Sequence, residues 1–214
     1  MSNLLKGWLT LLLALLAAYG SYTIWRVSSK AAALTGGDEP QRAEATSVAT
    51  KPARRLEELK LVERDGKPFD MRRLEGRVWV ASTFFASCPG FCLTMNQKVA
   101  AIAKELADTD VTFVSVTVDP ANDTPKVLAD YANDRGADPH RWLFLTGDLD
   151  DIHDLCEAHL KLPSAKSHSD KLVLIGRDGR FIRGYTYSDS RQLDSLLAKV
   201  RELQSESAPG KEAP

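Results

Sequence analysis

Val78-Trp79-Val80-Ala81-Ser82-Thr83-Phe84-Phe85 runs directly into Ala86-Ser87-Cys88-Pro89-Gly90-Phe91-Cys92-Leu93-Thr94-Met95-Asn96. The first half lacks the polar alternation of a half-exposed strand, so it reads as a strand buried on both faces. Pro89 to Ala107 reads as a helix, with Met95, Val99, Ile102 and Leu106 at helical spacing. Pro89 then becomes the first helical residue, and Cys88 falls at or beside the N-cap. Unpaired N–H groups and the helix dipole favour a thiolate there. Cys92, four residues on, is expected on the same side as Cys88. Two sulfurs so placed can form a disulfide or chelate a soft metal. Thioredoxin-type dithiols have two residues between the cysteines, whereas this pair has three.

Outward from this stretch, strands and helices alternate. Leu59 to Val62 is strand-like, and Asp65-Gly66 turns it back toward Pro68-Phe69. Val111 to Val118 is a second buried strand, rich in β-branched residues and ended by Asp119-Pro120. Thr124 caps a helix with Pro125 at its first position, which runs to about Arg135 and stops at Gly136. Trp142 to Leu145 is a short strand, followed by a helix from Leu149 to about Leu160. Leu172 to Ile175 and Phe181 to Gly184 flank the turn Arg177-Asp178-Gly179-Arg180, and Ser190 to Leu203 is the last helix. This order implies an α/β fold, a central mixed sheet with helices on both faces. A dithiol that ends a long strand and opens a helix is the placement of thioredoxin-like folds.

The chain of 214 residues holds one folded domain with appendages. Trp8 to Ile24 is almost wholly apolar, with Trp8, Tyr22 and Trp25 near its ends. It approaches the ~20 residues that span a bilayer as a helix. We therefore expect residues 1–30 to be an N-terminal transmembrane helix acting as membrane anchor, with a cleaved signal peptide as the alternative. Residues 31–55 read as a flexible linker in which Arg54-Arg55 is a solvated flank, 56–203 as the thioredoxin-like domain and 204–214 as a disordered tail. No other segment is apolar enough to span, which puts the domain on the exported side. The bacterial inner membrane, facing the periplasm, is the expected location. With 28 basic and 29 acidic residues and no cationic cluster, nothing points to nucleic acid. Three cysteines are too few for a disulfide-stapled scaffold.

His168 is the candidate third ligand. It lies in the polar loop Ser164 to Asp170, ahead of a strand expected to neighbour the thiol strand, where thioredoxins place a proline. Structural zinc sites ordinarily take four ligands, often at tighter spacing, and only Cys156 and four histidines remain to complete one. Cys156 shares a helical arc with Leu149, Ile152, Leu155 and Leu160 and reads as a core thiol. His153 and His159 flank it, but steps of three rotate them apart, and Asp150, Asp151, Asp154 and Glu157 read as a solvated face. His140 carries no signal. A peroxidatic cysteine needs a positioned arginine or similar electrophilic pocket, and no such arrangement is visible.

Val78-Trp79-Val80 with Phe84-Phe85 and Cys88-Pro89-Gly90-Phe91-Cys92 resembles the core motif of the Sco/SenC family of copper-binding thioredoxin-fold proteins. Val116 to Pro120 with Asp123-Thr124-Pro125, Trp142 to Gly147, His168-Ser169, Leu174-Ile175 and Asp178 to Phe181 extend the resemblance over about Leu56 to Leu203. The resemblance implies that Cys88, Cys92 and His168 bind one copper ion. It also implies a copper chaperone that acts in assembly of the binuclear copper centre of cytochrome c oxidase, delivering copper to it or reducing its cysteines, with the copper-bearing oxidase subunit or another copper or thiol protein as partner. Many members carry proline after the second cysteine; here it is Leu93. The donor chemistry agrees with copper, since two thiolates and an imidazole suit Cu(I) and, with a weak further donor, Cu(II). Asp119 is a candidate support residue or docking charge beside the site. The alternative function is a membrane-anchored thiol–disulfide oxidoreductase, with Cys88 and Cys92 as its redox-catalytic pair.

Overall fold

The computed structural model describes residues 15–23 and 53–206. Residues 15–23 are helical, and most of the expected anchor lies outside the described residues. Among the described residues no helix is long and apolar enough to cross a membrane. The two described stretches belong to separate units of the chain.

In the larger unit, seven strands form one mixed sheet: β1 (Leu61–Glu63), β2 (Pro68–Phe69), β3 (Trp79–Phe84), β4 (Thr112–Thr117), β5 (Trp142–Gly147), β6 (Lys171–Ile175) and β7 (Phe181–Thr186). Their spatial order is β2-β1-β5-β4-β3-β6-β7. β3, β4 and β5 run parallel, while β6 is antiparallel to β3 and β7 to β6. Every residue of β3 and β4 is buried, as expected of strands covered on both faces.

The helices are α1 (Phe91–Glu105), α2 (Pro125–Asn133), α3 (Leu149–His153, continued as a π-helix over Asp154–Leu160) and α4 (Ser190–Ser205). A hydrogen bond from Asn96 to the Tyr131 hydroxyl ties α1 to α2, and one from Arg201 to the Glu105 carbonyl ties α4 to α1. Those three helices share one face. α3 covers the other, burying Ile152, Leu155, Cys156 and Leu160 completely. Thr124 caps α2 by accepting from the Val127 N–H, with Pro125 in the first turn, as the sequence indicates.

Several local expectations are corrected. α1 begins at Phe91, with Gly90 rather than Cys88 as its N-cap, because the turn absorbs Cys88-Pro89-Gly90 before the helix starts. α2 ends at Asn133, and Gly136 takes the left-handed turn that follows, at φ +62°. α3 widens into π geometry and closes on Lys161, a left-handed residue. Arg54 is no solvated flank: its guanidinium is 2.7 Å from Asp151 and 2.6 Å from Asp154, and Asp151 is buried. A carboxylate buried against an apolar helix needs such a partner. Gln204 is not in a disordered tail, since α4 runs to Ser205 and Gln204 accepts a hydrogen bond from Arg177; residues 207–214 lie outside the described residues.

Candidate metal centre

The sheet register brings the expected residues together. β6 pairs with β3 so that Val173 faces Ala81 and Ile175 faces Trp79. Continuing that antiparallel register past the strand ends puts position 168 opposite position 86. The loop before β6 is thereby set against the turn after β3. The ligand atoms of Cys88, Cys92 and His168 all lie within 4.8 Å of one another, and Cys88 Sγ is 3.6 Å from His168 Nδ1. Donors bonded at about 2.0–2.3 Å to one centre sit roughly 3.5–4 Å apart, so a small contraction makes this a three-coordinate site. Two sulfurs and one imidazole form a soft donor set that fits copper.

Both sulfurs are buried and the imidazole is exposed. The peptide N–H of Cys92 donates to Cys88 Sγ at 3.2 Å. Burial alone pushes the Cys88 thiol up. The backbone N–H groups of Cys92, Gly90 and Phe91 and the Cys92 side chain outweigh it and bring Cys88 below the ordinary thiol range. The helix-start effect expected from the sequence therefore operates, although Cys88 lies two residues ahead of the cap. Cys92 goes the other way. Burial pushes it up to about 12 against a downward pull from the Phe85 backbone, with lesser upward pushes from Cys88 and Asp123.

His168 is flanked by aromatic rings. Phe85 stacks on it at 5.4 Å between centroids, and Phe91 lies tilted at 4.9 Å and itself meets Tyr187 in a T-shaped contact at 5.3 Å. Asp119 does not bond to any of the three donors. It accepts from Lys166 at 2.5 Å and from Asn122 at 2.9 and 3.1 Å, and the Lys166 ammonium and Asn122 amide hold its carboxyl below the usual range.

Sequence reasoning gave Asp123 no role at the site, naming it only within the motif Asp123-Thr124-Pro125 ahead of the helix. Its carboxylate, almost fully buried, accepts from the Ala86 N–H at 3.0 Å and from the Thr117 hydroxyl, so it ties the thiol turn to the end of β4. The Thr117 hydroxyl in turn accepts from the Asp119 N–H. No spacing rule marks such a residue; the only hint is a second carboxylate close behind a buried strand. Phe85, Phe91, Tyr187 and Lys166 were also missed as site walls. The other cysteine and the other histidines stay apart. Cys156 is sealed in the core, His153 bonds Ser164, and His159 bonds the Arg54 carbonyl.

Fold and site together define a class: a thioredoxin-like α/β protein with a soft Cys2His cluster where thioredoxins keep a bare dithiol. Residues 48–205 match the SCO1/SenC family model, and the chain belongs to that family. A SCO1 protein homolog of Bacillus subtilis (strain 168) is 29% identical over 147 residues, covering 64% of this chain and 76% of the relative. A protein of Stutzerimonas stutzeri named for copper binding is 32% identical over 145 residues, covering 62% of this chain and 69% of its own length. Among solved structures, BsSco matches with TM-score 0.58 and 26% identity over 69% of this chain and 92% of that one. It is described as carrying a disulfide switch and as a member of the Sco family of cytochrome c oxidase assembly proteins.

Proposed function

We propose that this chain is a copper chaperone that holds one copper ion through Cys88, Cys92 and His168 and serves in assembly of the binuclear copper centre of cytochrome c oxidase. The observation that carries the reading is the convergence of three soft donors, drawn from segments 80 residues apart, to within 4.8 Å. The copper-binding name of the Stutzerimonas stutzeri relative and the assembly role given for BsSco support it. When bound, copper supplies the cargo itself, in its Cu(I) and Cu(II) states. Cys88 contributes a sulfur readily made thiolate, Cys92 a sulfur that must give up its proton on binding, and His168 a neutral nitrogen. The apolar run at residues 8–24 would anchor the domain to a membrane with the cluster on the exported side, and the recipient would be the copper-bearing oxidase subunit or another copper or thiol protein.

Cu(I) titration of the reduced domain tests this. One tight equivalent is expected, abolished in Cys88→Ala and strongly weakened in His168→Ala; affinity unchanged in His168→Ala would remove the histidine from the site.

A second reading, thiol–disulfide exchange by the same pair, is favoured by one observation: the opposed thiol acidities suit a Cys88 nucleophile and a Cys92 held in reserve. Its signature is reduction of an oxidised partner at a rate independent of His168. The two activities are compatible, because a recipient dithiol must be reduced before it can be loaded.

A further inference from the structure

The three donors are held by different means. Cys88 and Cys92 are fixed by the backbone of the turn and of α1. His168 sits on an exposed loop, and among the described residues its ring has one hydrogen-bonding neighbour, Cys88 Sγ. Metal-binding imidazoles are ordinarily aimed by a partner on their second nitrogen, and among the described residues no side chain or backbone group takes that place for His168. Its aim rests on the Phe85 and Phe91 rings and on whatever fixes the loop.

Two residues earlier, Lys166 supplies a fixed point. Its ammonium lies against the Asp119 carboxylate at 2.5 Å and 5.2 Å from the centroid of the Phe85 ring that stacks on His168. Asp119 is itself immobilised, being buried at the end of β4 with both carboxylate oxygens bonded to the Asn122 amide. The ends of the loop are held elsewhere, Ser164 by Glu157 and His153 and the Asp170 carbonyl by the Tyr187 N–H, whereas its middle, beside His168, is tied to the end of β4 by the Lys166–Asp119 charge pair, whose lysine end is 46% exposed. Were Asp119 a direct support for a donor, it would touch one; its carboxylate instead meets the His168 loop through Lys166, while its N–H is joined to the thiol turn through Thr117 and Asp123.

We propose that Lys166 and Asp119 form an electrostatic latch that aims His168 over the two thiols. Both are positioning residues, acting through the loop and the Phe85 ring. This deepens the Cys88–Cys92–His168 reading and rests on it. Opening the latch leaves a two-sulfur site with a mobile imidazole, and the exposed lysine is the end that a docking carboxylate could take.

The test combines the apo protein with a mutant cycle. In the reduced, metal-free protein, ring-to-ring NOEs from His168 to Phe85 and Phe91 are expected, and they should vanish in Lys166→Met and in Asp119→Asn while the rest of the spectrum is retained. Lys166→Arg, which keeps the charge pair, should preserve them. Cu(I) affinity should drop about tenfold in Lys166→Met and be indifferent to that substitution in a His168→Ala background. NOEs that persist in Lys166→Met, or an equal affinity loss with His168 absent, would overturn the latch. If His168→Ala alone leaves copper affinity unchanged, the ligand reading fails instead, and the apo NOEs still decide the latch.

Discussion

One residue type occurs three times in this chain with three chemistries. Cys88, in the turn ahead of α1, is lowered by backbone N–H groups that outweigh its burial, whereas Cys92, in the first turn of α1, is raised to about 12 mainly by burial. Since the thiolate is the reactive form, Cys88 should be alkylated by iodoacetamide well before Cys92 at pH 7.5, as read by time-resolved peptide mass spectrometry; Cys92 leading would contradict the geometry. Cys156 is buried and pushed up to about 12 by its apolar surroundings. Its folded value lies above its unfolded one, so the stability it contributes is complete below about pH 8.5 and is lost as pH rises toward 12. Each pH unit in that window removes about 1.4 kcal/mol. Urea midpoints of wild type should therefore fall more steeply between pH 9 and 10.5 than those of Cys156→Ala. The sequence separates these thiols well, because Cys156 sits in an apolar helical arc and the other two at a strand-to-helix turn. It is silent on Asp123 and Lys166, whose importance depends on which turn they meet across the sheet. A carboxylate before Thr124-Pro125 looks like a capping residue until the Ala86 N–H is seen pointing at it.

At the level of elements, periodicity located strands and helices and misjudged their ends. The extra residue between the cysteines is spent before α1 rather than inside it, which moves the cap from Cys88 to Gly90. α3 shows the same limit: one apolar stripe describes both its α and its π halves, so the pattern cannot tell where the pitch changes. The largest misreading is at Arg54, where composition suggested a loose tether. Its guanidinium is the ion-pair partner of Asp151, a carboxylate with a side chain only 2% exposed. Removing it leaves that charge buried and alone. Arg54→Ala should cost about 1–3 kcal/mol, the full buried-pair penalty being reduced by the quarter exposure of the arginine. A domain cut at Leu56 should lose a similar amount relative to one begun at Ala53. Equal urea midpoints for the two lengths would show that the clamp is dispensable.

For the molecule as a whole, the alternation of strands and helices was enough to anticipate a mixed sheet, and the position of the dithiol was enough to anticipate its class. The order β5-β4-β3-β6 then does the functional work, because it lays the loop before β6 beside the turn after β3. A histidine 80 residues away in sequence becomes a neighbour of Cys88. That separation has a mechanical meaning. A metal joining position 88 to position 168 is a removable staple across half the domain. By chain-entropy reckoning, closing an 80-residue loop is worth about 4.5 kcal/mol against the unfolded state. Loading with one Cu(I) should raise the thermal midpoint and slow amide exchange in residues 163–170, and His168→Ala should abolish the slowing while keeping both sulfurs. A filled carrier would be a stiffer object than an empty one, and handing over its cargo would loosen the loop that held it.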